Sequence, residues 1–397
     1  MCKNAAMKPS LSFLFILFLL LSSCQLLDPP LSMGQPREEH GGMVPSDVPA
    51  EPDTSLFVTA LCFPASYDWR KDSLYGRVEC VLKLFRNGEE VLALAAGPGT
   101  KVSSSQDAHH VIDGHLYTEF QGSGGTTLSR DGEEIASWYG AERLCGLLVK
   151  DDVLHTLSYG AKGLVYRRKG AEVLRVADGE PIGGFRQDTW EPTGALYEQD
   201  GRICFAFQAP REGRTTVFIV RDGEPEAVLS AVGAQALDAR LLVGSPSVIY
   251  NRNGVTRMTH KGESWNLSYT SEMLWEDAGA VLMNGKPVAL GRYRCRGDRK
   301  SVCCIGRQNQ SATISGDPAS VFVLRDSSIV AVKRDGDIPP DCYFLSRDCA
   351  CLSPNGELTM ALTPRDISAR PYVLCGGEKQ EYPVYGFITS VSYHITH

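Results

Sequence analysis

Residues 144–176 read LCGLLVKDDVLHTLSYGAKGLVYRRKGAEVLRV, and the order of apolar runs and turns in this stretch indicates the fold class. Four short apolar runs, at 144–149, 153–158, 164–166 and 172–176, are separated by polar turns. Two of the turns contain Asp151-Asp152 and Lys169-Gly170. Asp and Gly adopt the positive φ angles that tight hairpins need, so the stretch predicts four antiparallel strands joined by hairpins.

Turns of the same kind recur eight times along the chain. They are Phe85-Arg86-Asn87-Gly88, Ser129-Arg130-Asp131-Gly132, Arg168-Lys169-Gly170, Val220-Arg221-Asp222-Gly223, Arg252-Asn253-Gly254, Met283-Asn284-Gly285, Leu324-Arg325-Asp326-Ser327 and Leu374-Cys375-Gly376-Gly377. Successive turns are separated by about 41 residues on average, which is the length of a four-stranded propeller blade. No stretch has apolar residues at helical spacing. The sequence therefore predicts an all-β protein, a β-propeller of about eight four-stranded antiparallel blades over residues 55–397.

The number of blades and the closure of the ring are separate predictions. Two steps of 31 residues, around Asn253 and Asn284, are short for four strands, so these units could form one blade and leave seven. The strand at 385–393 is expected to pair with the first unit at 56–63 and close the ring. Two β-domains in tandem are the alternative, which the absence of a Pro/Gly/Ser-rich linker between 55 and 397 disfavours.

The N-terminus has the features of an export signal. An apolar stretch from Leu11 to Leu21 follows Lys3 and Lys8 and is too short to span a bilayer. It ends in Leu21-Ser22-Ser23-Cys24, which resembles the lipobox of bacterial lipoproteins. The resemblance implies a signal peptide at 1–23, removed by cleavage, and a mature chain whose Cys24 carries lipid such as palmitate. An ordinary signal peptide or an uncleaved anchor is the alternative.

Residues 24–54 are rich in proline and poor in apolar periodicity. Such a segment buries too little surface to fold, so it is interpreted as a disordered tether between Cys24 and the propeller.

Composition excludes some partners. The formal net charge is −7 and no long basic block occurs, which argues against nucleic acid as a partner. No cofactor motif is present, so no cofactor is predicted. His109-His110 with His115, and Asp335-Gly336-Asp337, are fragments of metal-ligand patterns too incomplete to predict a metal site.

Thirteen cysteines allow two interpretations. An exported chain permits disulfides, and Cys62 with Cys80, Cys295 with Cys303 or Cys304, and Cys342 with Cys349 or Cys351 are possible local bridges. The favoured interpretation is that most of the cysteines, such as Cys145 and Cys204, are small buried hydrophobic residues.

A ligand site is predicted on one face of the propeller. Hairpin tips are expected on one face, and the longer connections between blades around the channel mouth on the other. Those connections contain aromatic and charged side chains that suit a sugar or a peptide. The candidate ligand-binding residues are Trp138, Tyr139, Trp190, Trp265, Arg292 and Arg294. The alternative is that the aromatic side chains pack between blades.

The lipobox and the repeated hairpins together resemble membrane-tethered bacterial β-propeller lipoproteins. This resemblance implies a cell-envelope protein, lipid-anchored in the outer membrane, that binds a glycan or protein partner. The chain lacks the glycine-then-tryptophan repeat signature of the outer-membrane assembly lipoprotein, so the resemblance does not imply an assembly role for this chain. The alternatives are a glycan-cleaving enzyme with carboxylates such as Glu191, Asp335 or Asp337 at the channel mouth, and an outer-membrane assembly scaffold.

Overall fold

The computed structural model describes residues 53–71, 79–96, 101–102, 109–122, 124–140, 142–182, 195–267, 274–294, 301–306, 311–314, 318–323, 329–334 and 336–396. Residues 51–397 form one compact unit. Within the described ranges the chain is all-β, with a single short 3-10 helix at Arg347–Cys349 and no α-helix. No helix in these ranges is long and apolar enough to cross a membrane. The signal peptide, Cys24 and almost all of the tether lie outside the described residues.

The described strands form eight sheets, which we number as blades 1 to 8. Blade 1 contains β1 (Asp53–Cys62), β2 (Cys80–Arg86), β3 (Glu89–Ala96) and β33 (Gly386–Thr396). Blade 2 contains β4 (Lys101–Val102), β5 (His109–Ile112), β6 (His115–Gly122), β7 (Gly125–Arg130) and β8 (Glu133–Tyr139). Blade 3 contains β9 (Arg143–Lys150), β10 (Val153–Gly160), β11 (Gly163–Arg168) and β12 (Ala171–Val176). Blade 4 contains β13 (Glu180–Pro181), β14 (Tyr197–Gln199), β15 (Arg202–Arg211), β16 (Arg214–Arg221) and β17 (Glu224–Ala231).

The second half of the chain continues the series. Blade 5 contains β18 (Ala234–Leu242), β19 (Ser245–Arg252), β20 (Val255–His260) and β21 (Glu263–Asn266). Blade 6 contains β22 (Leu274–Met283), β23 (Lys286–Arg294), β24 (Ser301–Gly306) and β25 (Ser311–Ile314). Blade 7 contains β26 (Pro318–Val323) and β27 (Ile329–Lys333) as its described strands. Blade 8 contains β28 (Cys342–Tyr343), β29 (Ala350–Leu352), β30 (Leu358–Pro364), β31 (Tyr372–Cys375) and β32 (Glu378–Glu381).

Strands pair antiparallel in a fixed order that defines four positions in a blade. In blades 2, 4 and 8 the first position is divided between two short strands that both pair with the second. The fourth strand is the outer edge, since β32 is exposed along its whole length whereas the first strand β18 is mostly buried. Blade 1 takes its first strand from the C-terminus.

The ring closes by pairing the two ends of the folded region. Strand β33 runs antiparallel to β1, from Asp53 opposite Thr396 to Cys62 opposite Gly386. Inside this pair the Thr59 hydroxyl lies 2.6 Å from the hydroxyl of Thr389 and 2.6 Å from that of Ser390. The predicted closure is therefore confirmed.

Apolar clusters fill the interface between every pair of neighbouring blades. Phe57 of blade 1 packs with Leu116 of blade 2, and similar clusters join blades 2 and 3, 3 and 4, 4 and 5, 5 and 6, and 6 and 7. One larger cluster joins blade 7, blade 8 and blade 1. This unbroken series makes the fold a closed eight-bladed β-propeller. The seven-bladed alternative is wrong, because Asn253 and Asn284 lie in separate blades, 5 and 6.

The two short intervals of 31 residues between successive turns, around Asn253 and Asn284, have a topological cause. The turns at Asn87, Asp131, Lys169 and Asp222 connect the third and fourth strands of their blades. Asn253-Gly254 instead connects the second and third strands of blade 5, and Asn284-Gly285 the first and second strands of blade 6. The turn of blade 5 that is equivalent to the first group is Lys261-Gly262, with Lys261 at φ 50°.

Topology gives each blade two ends. Turns between the first and second strands and between the third and fourth strands lie at one end, which we call the hairpin face. Turns between the second and third strands and connections between blades lie at the other end, the linker face. The interpretation that all eight turns share one face is therefore wrong for Asn253-Gly254, which lies on the linker face.

Several hairpin-face turns are fixed by one side chain. Asn87, in the left-handed region at φ 51°, accepts a hydrogen bond at Oδ1 from the backbone N–H of Leu56 at 2.8 Å. Asp131 accepts from Leu116 N–H at 2.8 Å in blade 2, and Asp222 from Ile203 N–H at 3.0 Å in blade 4. We call this contact the turn clamp. It ties the third turn of the blade to the start of the second strand.

The described cysteines are free thiols. They are Cys62, Cys80, Cys145, Cys204, Cys342, Cys349, Cys351 and Cys375. Cys62 packs in the cluster of blades 7, 8 and 1, whereas Cys80 packs in the cluster of blades 1 and 2, so the two thiols lie on opposite sides of one sheet. The possible bridges at Cys62 and Cys342 are therefore absent, and those involving Cys295 fall outside the described side chains.

Candidate functional site

A cavity of about 410 Å³ opens on the hairpin face between blades 3 and 4. Its size is within the range of about 300–1,000 Å³ that is typical of small-molecule sites. Turn residues of both blades form the rim, and side chains of β10, β11, β12 and β15 form the floor and walls. The lining residues are Lys150, Asp151, Val153, His155, Tyr166, Arg168, Val173, Gly201, Ile203 and Asp222.

The floor is a hydrogen-bonded pair of buried polar side chains. Nδ1 of His155 lies 2.7 Å from the hydroxyl of Tyr166, and the two side chains are 5% and 2% exposed. Burial lowers the pKa of His155, with a further lowering by Arg168. Burial, with the nearby Asp222 charge, raises the pKa of Tyr166 to about 12. Both groups are therefore neutral at pH 7, and when the phenol donates to Nδ1 the imidazole carries its proton on Nε2.

The rim carries charges of both signs. Lys150 lies 2.8 Å from Oε1 of Glu198 and also donates to the carbonyl of Gly201, so it joins blade 3 to blade 4. The contact with Glu198 raises the pKa of Lys150. Asp151, Arg168 and Asp222 are exposed at the rim. Asp222 uses Oδ1 for the turn clamp, and its second oxygen takes no part in that contact.

The walls are apolar. Val173, at the outer edge of blade 3, is 45% exposed, and Ile203 is buried at the start of β15. Val153 lies at the start of β10, close to the rim. A ligand in this cavity meets hydrogen-bonding groups at the floor, apolar surface at the sides and charges at the entrance.

Trp138 and Tyr139, predicted as ligand residues, lie at the linker-face end of β8, the outer strand of blade 2. Trp138 is 6% exposed and packs in the cluster between blades 2 and 3, with the guanidinium of Arg167 at 5.2 Å from its ring centroid. Tyr139, next in sequence, is 90% exposed. Side-chain alternation along the strand therefore gives the two neighbours opposite environments.

Of the other predicted ligand residues, Trp265 has a described side chain, and it lies apart from Trp138. Trp265 lies on β21, the outer strand of blade 5, where it is half-buried against Met258. Arg292 and Arg294 lie on β23 of blade 6, opposite Asp277 and Leu274, and their side chains are outside the described residues. Trp190 is outside them too. Trp138 and Trp265 belong to blades that are not neighbours, so they do not form one site.

A buried ion pair lies beneath the linker face near Trp138. Arg167 donates to Glu142 Oε2 at 2.8 Å and to the Ser158 hydroxyl at 2.6 Å, and that hydroxyl donates to the same carboxylate oxygen at 2.9 Å. The two charged side chains are only 9% and 7% exposed. The network satisfies every partner in it and joins the connection before β9 to β10 and β11, which is a structural role.

The histidine and carboxylate fragments are dispersed. His109 and His110 are buried in β5, whereas His115 contacts Asp131 at 2.5 Å on the hairpin face. Among the described residues no three metal-ligand side chains come together. Asp337 accepts from the N–H of Lys333 within its own loop, and Glu191 and Asp335 lie outside the described residues.

Sequence reasoning missed the cavity. Its polar residues come from two successive repeat units, 150–168 and 201–222, and each reads as an ordinary turn or strand residue on its own. The available signal was the presence of charged residues at matching turns of adjacent units, since those turns meet on one face.

Comparisons with known proteins give fold likeness only. No family model matches the chain, and no curated protein has significant similarity to it. Apo AztD from Citrobacter koseri is 10% identical, with 86% of this chain and 98% of that chain covered and a TM-score of 0.45. A prolyl endopeptidase is 10% identical, with 86% of this chain and 50% of that chain covered and a TM-score of 0.40. BBS1N in complex with ARL6DN is 11% identical, with 66% of this chain and 85% of that chain covered and a TM-score of 0.35. These likenesses are too distant to bear on function.

Proposed function

We propose that this protein is a membrane-tethered binding β-propeller of the cell envelope, which recognises a glycan or protein partner without transforming it. The observation that carries the proposal is the cavity between blades 3 and 4, where charges of both signs surround the buried His155–Tyr166 pair. A few convergent polar groups on a partly apolar wall are the usual composition of a ligand site.

The same residues favour binding over catalysis. Asp222 makes the same turn clamp that Asn87 makes in blade 1. The amide of Asn87 cannot give up or take up a proton at neutral pH, so this contact does not require a titratable side chain. Burial raises the pKa of Tyr166 to about 12, away from the near-neutral range that suits a general acid or base, and burial lowers the pKa of His155. The residues of the cavity therefore serve as fixed hydrogen-bonding and charged groups.

The tether is the second part of the proposal. Leu21-Ser22-Ser23-Cys24 directs lipid to Cys24, and residues 24–54 hold the propeller away from the outer membrane. Cells labelled with an alkyne analogue of palmitate should yield labelled protein, and Cys24→Ala should yield none. Cys2→Ala is the matched control and should keep the label. Full labelling of Cys24→Ala would contradict the anchor.

Binding is tested with the full chain in detergent on glycan and peptide arrays. We expect retention on a restricted set of array members and no change in their mass after prolonged incubation. Arg168→Ala should weaken retention about tenfold or more, because a charge-assisted hydrogen bond contributes about 1.5–3 kcal/mol. The proposal would be contradicted if the protein is retained on no member of either array, or if it releases cleaved products from them.

A matched pair of variants identifies the face. Arg143 is exposed at the start of β9 on the linker face, so Arg143→Ala removes the same charge as Arg168→Ala from the opposite end of the same blade. We expect Arg143→Ala and Tyr139→Ala to bind normally. Loss of binding in these two variants, with Arg168→Ala unaffected, would move the site to the linker face.

A further inference from the structure

We propose that the cavity between blades 3 and 4 binds a zwitterionic amino-acid head group, that is, an ammonium and a carboxylate carried on one small carbon framework. The group belongs either to a free amino acid or to a residue that keeps both charges at the end of a larger envelope molecule. The inference rests on the proposed binding function and specifies the chemistry that the site recognises.

The charges at the rim are the first step. Lys150 is paired with Glu198 at 2.8 Å and donates to Gly201, so this cation is largely satisfied within the protein. Arg168, Asp151 and Asp222 are left to face the cavity entrance. One guanidinium offers a planar fork for a carboxylate, and two carboxylates offer acceptors for an ammonium.

Ligands with one kind of charge fit this rim less well. A phosphate or other dianion placed on Arg168 would lie beside the like charges of Asp151 and Asp222. A bare cation would leave the guanidinium without a partner as the entrance is desolvated. A neutral sugar would cover all three charges without neutralising any of them, which has a cost in free energy. A zwitterion neutralises both signs at once.

The floor and walls set the framework of the ligand. His155 and Tyr166 are bonded to each other at 2.7 Å, which leaves Nε2 of the imidazole as a neutral hydrogen-bonding group at the base. Val153, Val173 and Ile203 supply apolar contact on the sides. A short aliphatic framework between the two charged groups matches this arrangement.

The chain offers a matched set of variants. Asp222→Asn removes a charge from the rim and keeps the turn clamp, because Asn87 makes the same backbone contact in blade 1. Asp131→Asn makes the identical change at the equivalent turn of blade 2, whose aspartate does not line the cavity. Arg168→Gln removes the cation from the exposed end of β11.

The test is titration calorimetry of the full chain in detergent with L-alanine, D-alanine, L-lysine and alanylalanine, and with the N-acetyl and amide forms of alanine. We expect at least one zwitterion to bind and each capped form to bind about tenfold or more weakly. Asp222→Asn should strongly reduce affinity for the zwitterion and hardly change it for the N-acetyl form, which has no ammonium. Arg168→Gln should strongly reduce affinity for the zwitterion and hardly change it for the amide form, which has no carboxylate, and Asp131→Asn should match the wild type. Alanylalanine carries its two charges on different residues, so it should bind more weakly than alanine. Tighter binding of L-lysine than of either alanine would favour a head group on the longer chain of a larger molecule, and the reverse would favour a small free amino acid.

Two results would overturn the inference. One is equal affinity for zwitterionic and capped forms, and the other is no binding of any of the named ligands. If either occurs while array members are still retained in an Arg168-dependent way, the proposed binding function stands and only the ligand class is wrong. If zwitterions bind but nothing on the arrays is retained, the inference stands and the glycan or protein partner is wrong.

Discussion

At the scale of single residues, we expect buried and half-buried histidines to make the propeller sensitive to acid. Burial lowers the pKa of His394 to about 4 from its ordinary value of 6.5. The ring lies 5.5 Å from that of Phe57, and Nε2 lies 2.9 Å from the hydroxyl of Ser392 in the closing strand β33. Burial also lowers the pKa of His155 and of His260.

The pH dependence follows from the direction of these shifts. Between about pH 6.5 and pH 4 the unfolded chain binds a proton at position 394 that the folded chain does not, so the free energy of unfolding falls as the pH is lowered through this window. For His394 the loss is at most about 3 kcal/mol, and below pH 4 this residue adds no further loss. Urea unfolding at several pH values should show a weaker dependence of the free energy of unfolding on pH for His394→Asn than for the wild type. An identical slope in wild type and His394→Asn would contradict the assignment.

The thiols give a second residue-scale prediction. Burial raises the pKa of Cys62 to about 12 and that of Cys349 to about 11. Because the thiolate is the reactive form, alkylation of both residues at pH 8 should be slow in the folded protein and rapid in denaturant. Mass spectrometry of tryptic peptides measures both rates. A disulfide-linked peptide containing Cys62 and Cys80 under non-reducing conditions would be contrary to the structure.

The predicted ligand residues Trp138 and Tyr139 show that residue type alone does not identify a ligand site. Trp138 and Tyr139 were predicted from residue type alone, but burial differs completely between them, 6% against 90%. A tryptophan suits a ligand site and also suits the apolar interface between two blades, so its presence in the sequence does not distinguish these two environments. The cavity was invisible for a related reason, since Arg168 and Asp222 are more than fifty positions apart and meet only because their blades are neighbours.

At the scale of the element, the turn clamp distinguishes one hairpin from its relatives. Lys169 occupies the clamp position of blade 3 at φ 52°, and its backbone N–H donates to the carbonyl of Leu154 at 2.8 Å, as Asp131 does to Leu116. A lysine side chain has no acceptor for the N–H of Leu154. Lys169→Asn supplies one and suits the left-handed backbone, so we expect a gain of about 1 kcal/mol in the free energy of unfolding.

Matched variants make the clamp prediction specific. Lys162→Asn makes the same substitution at the exposed turn between β10 and β11, where no such contact exists, and should leave stability unchanged. Asn87→Lys should lose about 1 kcal/mol or more, since it removes the clamp from blade 1. Chemical denaturation of the four proteins compares them directly. Equal gains at positions 162 and 169 would show that charge, not the clamp, is responsible.

Hairpins were the most predictable elements of the fold. Asn-Gly and Asp-Gly turns require positive φ angles, and Asn87, Asp131, Asp222, Asn253 and Asn284 all have them. Which strands a turn joins is not encoded in the turn itself, because both ends of a blade use the same chemistry. That is why the spacing around Asn253 suggested a missing blade, and why its face was assigned wrongly.

At the scale of the whole molecule, side chains of one blade hold the inner strand of the next. Glu119 of blade 2 accepts from the N–H of Leu144 in blade 3 at 2.8 Å, and Asp238 of blade 5 accepts from the N–H of Ala280 in blade 6 at 2.7 Å. These acceptors are 2% and 1% exposed, so their contacts exclude water. Neighbouring blades are thereby coupled, and a closed ring is expected to unfold as one unit rather than blade by blade.

The coupling between blades can be tested most directly at the pairing of β33 with β1, which closes the ring. Removing residues 386–397 uncovers the partner edge of β1 and takes Phe387, Ile388 and Val391 out of two interface clusters. Each of these side chains contributes about 1.5–3 kcal/mol when buried, so their joint loss approaches the whole stability of an ordinary domain. We expect the truncated chain to lose its cooperative thermal transition and to be cleaved rapidly by protease within blade 1, whereas removal of residues 396–397 alone should change neither property. A truncated chain that keeps a single sharp transition would show that blades 1 to 8 are held together without the ends being joined, and that the clusters between blades, rather than closure, determine the cooperativity of the ring.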